Sequence, residues 1–114
     1  MVVNLTSSDL ATSQAAFEFA RQVQMDNGAV VFYLNLDAAA LASTRAPQPK
    51  GAVTHKSASD LIAEIVADGG KVYVCVMCLQ QSGLAIRDRI EGVALGGPAM
   101  REILMSPSTR IMSF

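Results

Sequence analysis

The sequence predicts a single three-layer α/β/α domain over residues 1–114, built around a mainly parallel sheet of about five strands. Three observations predict this class. The length of 114 residues suits one domain. Short apolar runs alternate with segments of helical hydrophobic period, and glycine and proline separate them. With 51% hydrophobic and 17% charged residues, the chain is also too apolar to be disordered.

The first quarter of the chain predicts a strand followed by a helix. Val2 to Leu5 is apolar enough for the strand, and the polar cluster from Thr6 to Asp9 suits the start of the helix. Apolar residues recur at the spacing of one helix face at Ala16, Phe19, Ala20 and Val23. Asn27-Gly28 then predicts a left-handed stop.

The middle of the chain predicts a central strand, a long loop and a second helix. Ala29 to Leu36 is almost unbroken apolar sequence, which is typical of a strand covered on both faces. Residues 37–43 predict one or two helical turns, and 45–55 predict an irregular loop. Ser57 and Asp60 resemble a capping box and predict a helix start. The buried stripe of that helix is predicted at Leu61, Ile62, Ile65 and Val66, before a stop at Asp68-Gly69-Gly70.

The last third predicts three strands separated by short helices. Lys71 to Met77 predicts the third strand, followed at once by a short helix over 78–82 that Gly83 ends. The remaining elements are predicted as a helical turn, a strand, a helix opening on proline and a final strand, over 86–90, 93–95, 98–105 and 110–114.

Charge and hydropathy exclude several classes of partner. The chain has 9 Lys+Arg against 10 Asp+Glu, so it lacks the basic surface that nucleic acid binding requires. It contains no apolar run long enough to cross a membrane and no signal-peptide pattern, so we expect a cytoplasmic protein with no membrane partner. A mean hydropathy of +0.33 with so little charge predicts apolar surface hidden in a homo-oligomer.

The candidate catalytic residues are Cys75 and Cys78, which straddle the predicted turn from the third strand into the following helix. Ligand sites of parallel sheets lie at the carboxyl ends of the strands, where helix N-termini favour thiolate over thiol and lower a cysteine pKa. We expect this effect at Cys78, and at Cys75 only if its side chain projects over the turn. Burial of Cys75 in the strand, with no chemistry, stays an alternative. A disulfide needs a Cα separation of about 5.5 Å, which this spacing allows.

No metal or other cofactor is expected. One Cys-x-x-Cys pair supplies two ligands, and His55, the sole histidine, lies in a different loop. His55 and Lys56 could bind an anionic donor, but a solvated loop is favoured. Gly96-Gly97 comes without a dinucleotide or Walker pattern and predicts a tight turn.

A set of polar residues is expected at the carboxyl ends of the first two strands, where its members either line the cysteine pocket or cap helices. This set is Thr6, Ser7, Ser8, Asn35 and Asp37. Capping and turn formation are the favoured roles.

Residues 72–84, VYVCVMCLQQSGL, resemble the DsrE/DsrF-like family of small sulfur-relay proteins. The opening VVNLTS, the segment 90–93 and the closing residues 110–114 agree with this, so the resemblance covers nearly the whole chain. Its most specific part is a cysteine eight residues before a glycine, which picks out Cys75 before Gly83 as the sulfur acceptor. Cys78 resembles a second cysteine found in uncharacterised branches.

The resemblance implies an intracellular sulfur relay, a possible sulfurtransferase that carries sulfane sulfur as a persulfide on Cys75. It also implies a trimer or hexamer and a sulfur-donor or sulfur-carrier protein as partner. Gln80-Gln81-Ser82 stand where members serving tRNA thiolation carry basic residues, so that pathway is not indicated. Two alternatives stay open: a non-catalytic assembly or regulatory subunit with buried cysteines, and a dithiol redox protein cycling a Cys75–Cys78 disulfide.

Overall fold

A computed structural model describes residues 1–114 as one five-stranded sheet flanked by helices, in which every pair of neighbouring strands is parallel. The strands are β1 (Val2–Leu5), β2 (Val31–Leu34), β3 (Lys71–Val74), β4 (Val93–Leu95) and β5 (Ile111–Ser113). The helices are α1 (Leu10–Met25), α2 (Ala58–Ala67), α3 (Val76–Gln81) and α4 (Pro98–Met105). Two 3₁₀ helices cover Leu36–Ala42 and Ile86–Asp88. The predicted α/β class is confirmed.

The strand order is β4-β3-β2-β1-β5, so β2 is the central strand, as its apolar sequence predicts. In register, Phe32 of β2 lies between Val3 of β1 and Val72 of β3. The three side chains are almost fully buried and belong to one core cluster together with residues of α1 and α2. Because alternate residues of a strand point to opposite faces, α1 and α2 cover the face that carries these residues.

The other face of the sheet carries Tyr33 and Tyr73, which pair across β2 and β3 and are half-buried. Helix α4 covers part of this face. The buried Met100 of α4 and Tyr33 of β2 both pack against Gly96. A Cβ atom at Gly96 would lie 3.7 Å from Met100 and 3.5 Å from Tyr33. The single crossing from β4 to β5 therefore supplies the third layer.

Several predicted boundaries need correction. β2 begins two residues later and ends two residues earlier than Ala29 to Leu36. The predicted third strand, Lys71 to Met77, ends at Val74, because the Cys75 carbonyl accepts from the Leu79 N–H at 3.0 Å and so closes a first helical turn. Helix α3 thus starts before the predicted residue 78.

The helix signals in the sequence are confirmed, but the buried face of α1 differs from the predicted one. Ser57 and Asp60 form a reciprocal capping box at α2, and Pro98 is the first residue of α4. Asn27 adopts the predicted left-handed conformation after α1, with a φ of 63°. The buried face of α1 is Ser13, Ala16, Phe17 and Ala20, whereas Phe19 and Val23 pack at its margin. None of the helices has the length and apolarity needed to cross a bilayer.

Candidate functional site

The carboxyl ends of the parallel strands form one edge of the sheet, and both cysteines lie there. Cys75 is the first residue after β3, and its N–H donates to the carbonyl of Leu34 at 2.9 Å, completing the last hydrogen bond between β3 and β2. Asn35, the first residue after β2, is therefore the neighbour of Cys75 across the sheet. The parallel register brings the two strand ends together, although they are 40 positions apart in the chain.

Cys75 and Cys78 are joined by a disulfide, with their Cα atoms 5.3 Å apart. Both residues are partly exposed. Cys75 is the N-cap of α3, and its Sγ accepts a hydrogen bond from the Cys78 N–H at 3.2 Å. The predicted approach of the two cysteines is confirmed, and neither residue is fully buried.

The expectation that Cys78 stands at the start of the helix is wrong, and the condition set for Cys75, a side chain that projects over the turn, is met. Because α3 begins at Val76, Cys78 lies inside the first turn, and Cys75 occupies the capping position. The backbone N–H group that faces sulfur faces the Sγ of Cys75. A backbone N–H group at this distance stabilises a negative charge on a sulfur atom.

The sulfur of Cys78 faces a different kind of group. Its Sγ lies 3.5 Å from Oδ1 of Asn35, an oxygen that also accepts the Leu36 N–H at 3.0 Å. The Asn35 amide nitrogen donates to Oδ1 of Asn4 at 3.4 Å, and the Asn4 amide nitrogen donates to the Ser113 hydroxyl at 3.2 Å. A chain of polar side chains thus runs along the carboxyl edge from β5 to the disulfide.

A small cavity of about 180 Å³ adjoins Cys78. Its lining residues are Leu36, Asp37, Cys78, Gln81 and Ser82. This volume is below the roughly 300–1,000 Å³ of typical small-molecule pockets. The cavity beside Cys78 is therefore large enough for a small group, and it does not enclose a large substrate.

Two members of the predicted set of polar residues lie at the cysteine site, and the others lie in the segment between β1 and α1. Asn35 contacts Cys78, and Asp37 lines the cavity. Thr6 donates to the carbonyl of Phe114 at 2.8 Å, and Ser7 accepts the N–H of Asp9, the residue that caps α1. Ser8 is exposed in the same turn.

His55 and Lys56 lie in the loop before α2, and neither lines the cavity beside Cys78. His55 is exposed, with a left-handed φ of 58°, and Lys56 pairs with Glu64 of α2 at 2.7 Å. A larger cavity of about 760 Å³ lies between α1, α2 and the loop 51–56. It contains neither cysteine, so the site is assigned from its chemistry and not from cavity size. No three His, Cys, Asp or Glu side chains come together in a metal-binding arrangement.

Sequence reasoning missed Asn4, Leu36 and Gln81 as parts of the site. Asn4 is the one polar residue in the apolar β1, which is itself a signal that a strand end faces a polar neighbour. Gln81 lies three residues after Cys78, a spacing that places two side chains on the same helix face. Leu36 carries no sequence signal. It is exposed and has a left-handed φ of 48°, and this backbone conformation depends on the tertiary path of the chain.

A parallel α/β sheet with a Cys-x-x-Cys turn at the carboxyl end of its third strand defines the class of this protein. The chain belongs to the DsrE/DsrF-like family, whose model matches residues 1–114. The family resemblance of the sequence is thereby confirmed.

Two solved structures share the fold. The ychN protein from E. coli has a TM-score of 0.77 and 14% sequence identity, over 99% of this chain and 96% of that chain. MTH1491 from Methanobacterium thermoautotrophicum, described as a protein of unknown function, has a TM-score of 0.75 and 14% identity over the same shares of the two chains. No curated protein matches the sequence. At this identity the two structures support the fold, and the functional argument rests on the cysteine site.

Proposed function

We propose that this protein is a sulfur-relay protein that accepts sulfane sulfur as a persulfide on Cys75 and passes it to a carrier thiol. Family membership supports the general class of sulfur chemistry. The observation that carries the assignment to Cys75 is the hydrogen bond from the Cys78 N–H to its Sγ, at a partly exposed position beyond the end of β3. A thiolate is the nucleophile of such exchange, and an N–H donor stabilises it.

The transfer needs a reduced Cys75, so a dithiol reductant must first open the disulfide. The Cys75 thiolate then attacks the outer sulfur of a donor persulfide, forming the new S–S bond while the donor leaves as a thiolate. An acceptor thiolate subsequently attacks that outer sulfur, and Cys75 leaves as a thiolate. Sulfane sulfur is transferred in both steps, and the relay itself consumes no electrons.

A second function, a dithiol redox cycle, is favoured by the disulfide between Cys75 and Cys78. In this reaction the Cys78 thiolate attacks Sγ of a Cys75 persulfide, forms the disulfide and expels hydrosulfide. The two cysteine sulfurs are oxidised, the sulfane sulfur is reduced to sulfide, and a dithiol must reduce the disulfide before the next cycle. The two functions differ in whether the sulfur leaves to an acceptor or as sulfide.

The proposal includes a cytoplasmic homo-oligomer and a sulfur-donor or sulfur-carrier protein as partner. Several large apolar side chains support self-association, because Val53, Met105 and Met25 are 91%, 81% and 68% exposed. Met25 and Val53 line the same cavity, and contiguous apolar surface is typical of an interaction site.

The experiment that tests the function is intact mass measurement after reduction, removal of the reductant and incubation with a small-molecule persulfide. The wild type is compared with Cys75→Ser and Cys78→Ser. We expect Cys78→Ser to gain one sulfur atom that reductant removes, and Cys75→Ser to gain none. In the wild type, one added sulfur supports the relay, whereas loss of two hydrogens with release of sulfide supports the redox cycle. If no variant changes while folded, although each is alkylated when denatured, both functions are refuted.

A further inference from the structure

The two sulfurs of the disulfide face groups of opposite character. Sγ of Cys75 faces the Cys78 N–H donor at 3.2 Å, whereas Sγ of Cys78 faces the side-chain amide oxygen of Asn35 at 3.5 Å. When the disulfide is reduced, an S–H group at Cys78 can donate to this oxygen, but a thiolate there would face an acceptor. A hydrogen bond of this kind favours the neutral form of the group.

The orientation of the Asn35 amide is fixed by its other contacts. Its Oδ1 accepts the Leu36 N–H at 3.0 Å, so turning the amide over would set two N–H donors against each other. Its Nδ2 donates to Asn4, which is held in turn by Ser113. Leu36 adopts a left-handed φ of 48°, which is unfavourable for leucine, and in this conformation its N–H remains directed at the amide oxygen. The oxygen therefore remains directed at Cys78.

We propose that Asn35 is a positioning residue that, in the reduced protein, favours the protonated form of Cys78. Cys75 then acts as the nucleophile, and Cys78 remains a thiol that can later resolve the persulfide. The consequence for sulfur transfer rests on the proposed function. A protonated Cys78 attacks a Cys75 persulfide slowly, and the sulfur stays on Cys75 until an acceptor thiolate arrives. Asn35 thereby selects sulfur transfer over disulfide formation with release of hydrosulfide.

The one charged residue that lines the cavity beside Cys78, Asp37, acts in the same direction. Helix α3 packs against the two 3₁₀ helices, whose charged residues are Asp37, Arg87 and Asp88. Of these, Asp37 lines the cavity beside Cys78, and the other two do not. A carboxylate in this position also disfavours a thiolate.

The test is the titration of Cys78 in a Cys75→Ser background, followed by the ultraviolet absorbance of the thiolate. Asn35→Ser keeps a side-chain cap for the Leu36 N–H but withdraws the acceptor from the sulfur, so the titration midpoint should fall by about 0.5–1 pH unit. Asn35→Asp keeps the shape and adds a negative charge, so the midpoint should rise. Thr6→Val removes a hydrogen-bonded hydroxyl from the same edge of the sheet, and this hydroxyl does not face sulfur. The titration midpoint of Cys78 should therefore be unchanged. Midpoints that stay constant, or that move in the same direction for both Asn35 variants, would overturn the proposal.

A second measurement links Asn35 to sulfur transfer. With both cysteines present and one sulfur loaded, Asn35→Ser should release hydrosulfide and form the disulfide about two- to fourfold faster than the wild type, because a larger thiolate fraction outweighs its weaker nucleophilicity. An unchanged or lower rate in a protein that does load sulfur overturns the role of Asn35. If Cys75 takes up no sulfur at all, the proposed function fails, while the titration still decides the effect of Asn35 on Cys78.

Discussion

Truncation of Leu79 is predicted to destabilise the whole protein, because this one side chain anchors the helix that carries the cysteine site. Helix α3 has six residues, and isolated helices shorter than about 12–15 residues are marginal in water. Leu79 is its sole buried residue, with 0% exposure, and belongs to the main core cluster. Tertiary packing of Leu79 therefore holds the turn in place.

The expected magnitude follows from this burial. Replacing a fully buried leucine by alanine removes its transfer free energy and leaves a cavity, a loss of about 2–5 kcal/mol in the free energy of unfolding. Since small domains unfold at a cost of about 5–15 kcal/mol, Leu79→Ala should remove a substantial part of the total. Met77→Ala is the matched control, because Met77 lies on the same helix and is 67% exposed. Its loss should stay within about 0.5 kcal/mol.

The assay is urea unfolding followed by circular dichroism, with both cysteines reduced and the protomer concentration held constant. A constant protomer concentration is needed because self-association would shift the apparent stability. A loss for Leu79→Ala as small as that for Met77→Ala would refute the reasoning and show that α3 contributes little to the cooperative unit.

Two further predictions concern acid stability and assembly. The Ser57 N–H donates to the Asp60 carboxylate at 3.0 Å and holds the pKa of that carboxyl below its usual value. The contribution of this hydrogen bond to stability should therefore be complete above about pH 4–5 and should disappear as the pH falls through the lowered pKa. Urea unfolding between neutral and acid pH should show a shallower pH dependence for Asp60→Asn than for the wild type, and identical slopes would contradict this. Sedimentation velocity should give a mass that is a multiple of 12.0 kDa, whereas a species of 12.0 kDa at all concentrations would contradict self-association.

The sequence predicted the elements best where the local chemistry is strong. The capping box at Ser57, the proline that opens α4 and the left-handed Asn27 all act within a few residues, and each is found as predicted. The boundary between β3 and α3 was wrong because Val76 and Met77 suit a strand as well as a helix. The helical turn that follows Cys75 places Leu79 in the core cluster, a tertiary contact that local preference does not encode.

For the site, the sequence pattern located the two cysteines near the carboxyl end of a strand and allowed their approach. Which sulfur faces a donor and which faces an acceptor depends on contacts between distant parts of the chain. Asn4 lies in β1, Asn35 follows β2, and Asn35 lies 43 residues from Cys78, so no local pattern in the sequence relates them. Hydrogen bonds at angstrom distances depend on the parallel register of β1, β2 and β3, and that register is set by the packing of the whole core.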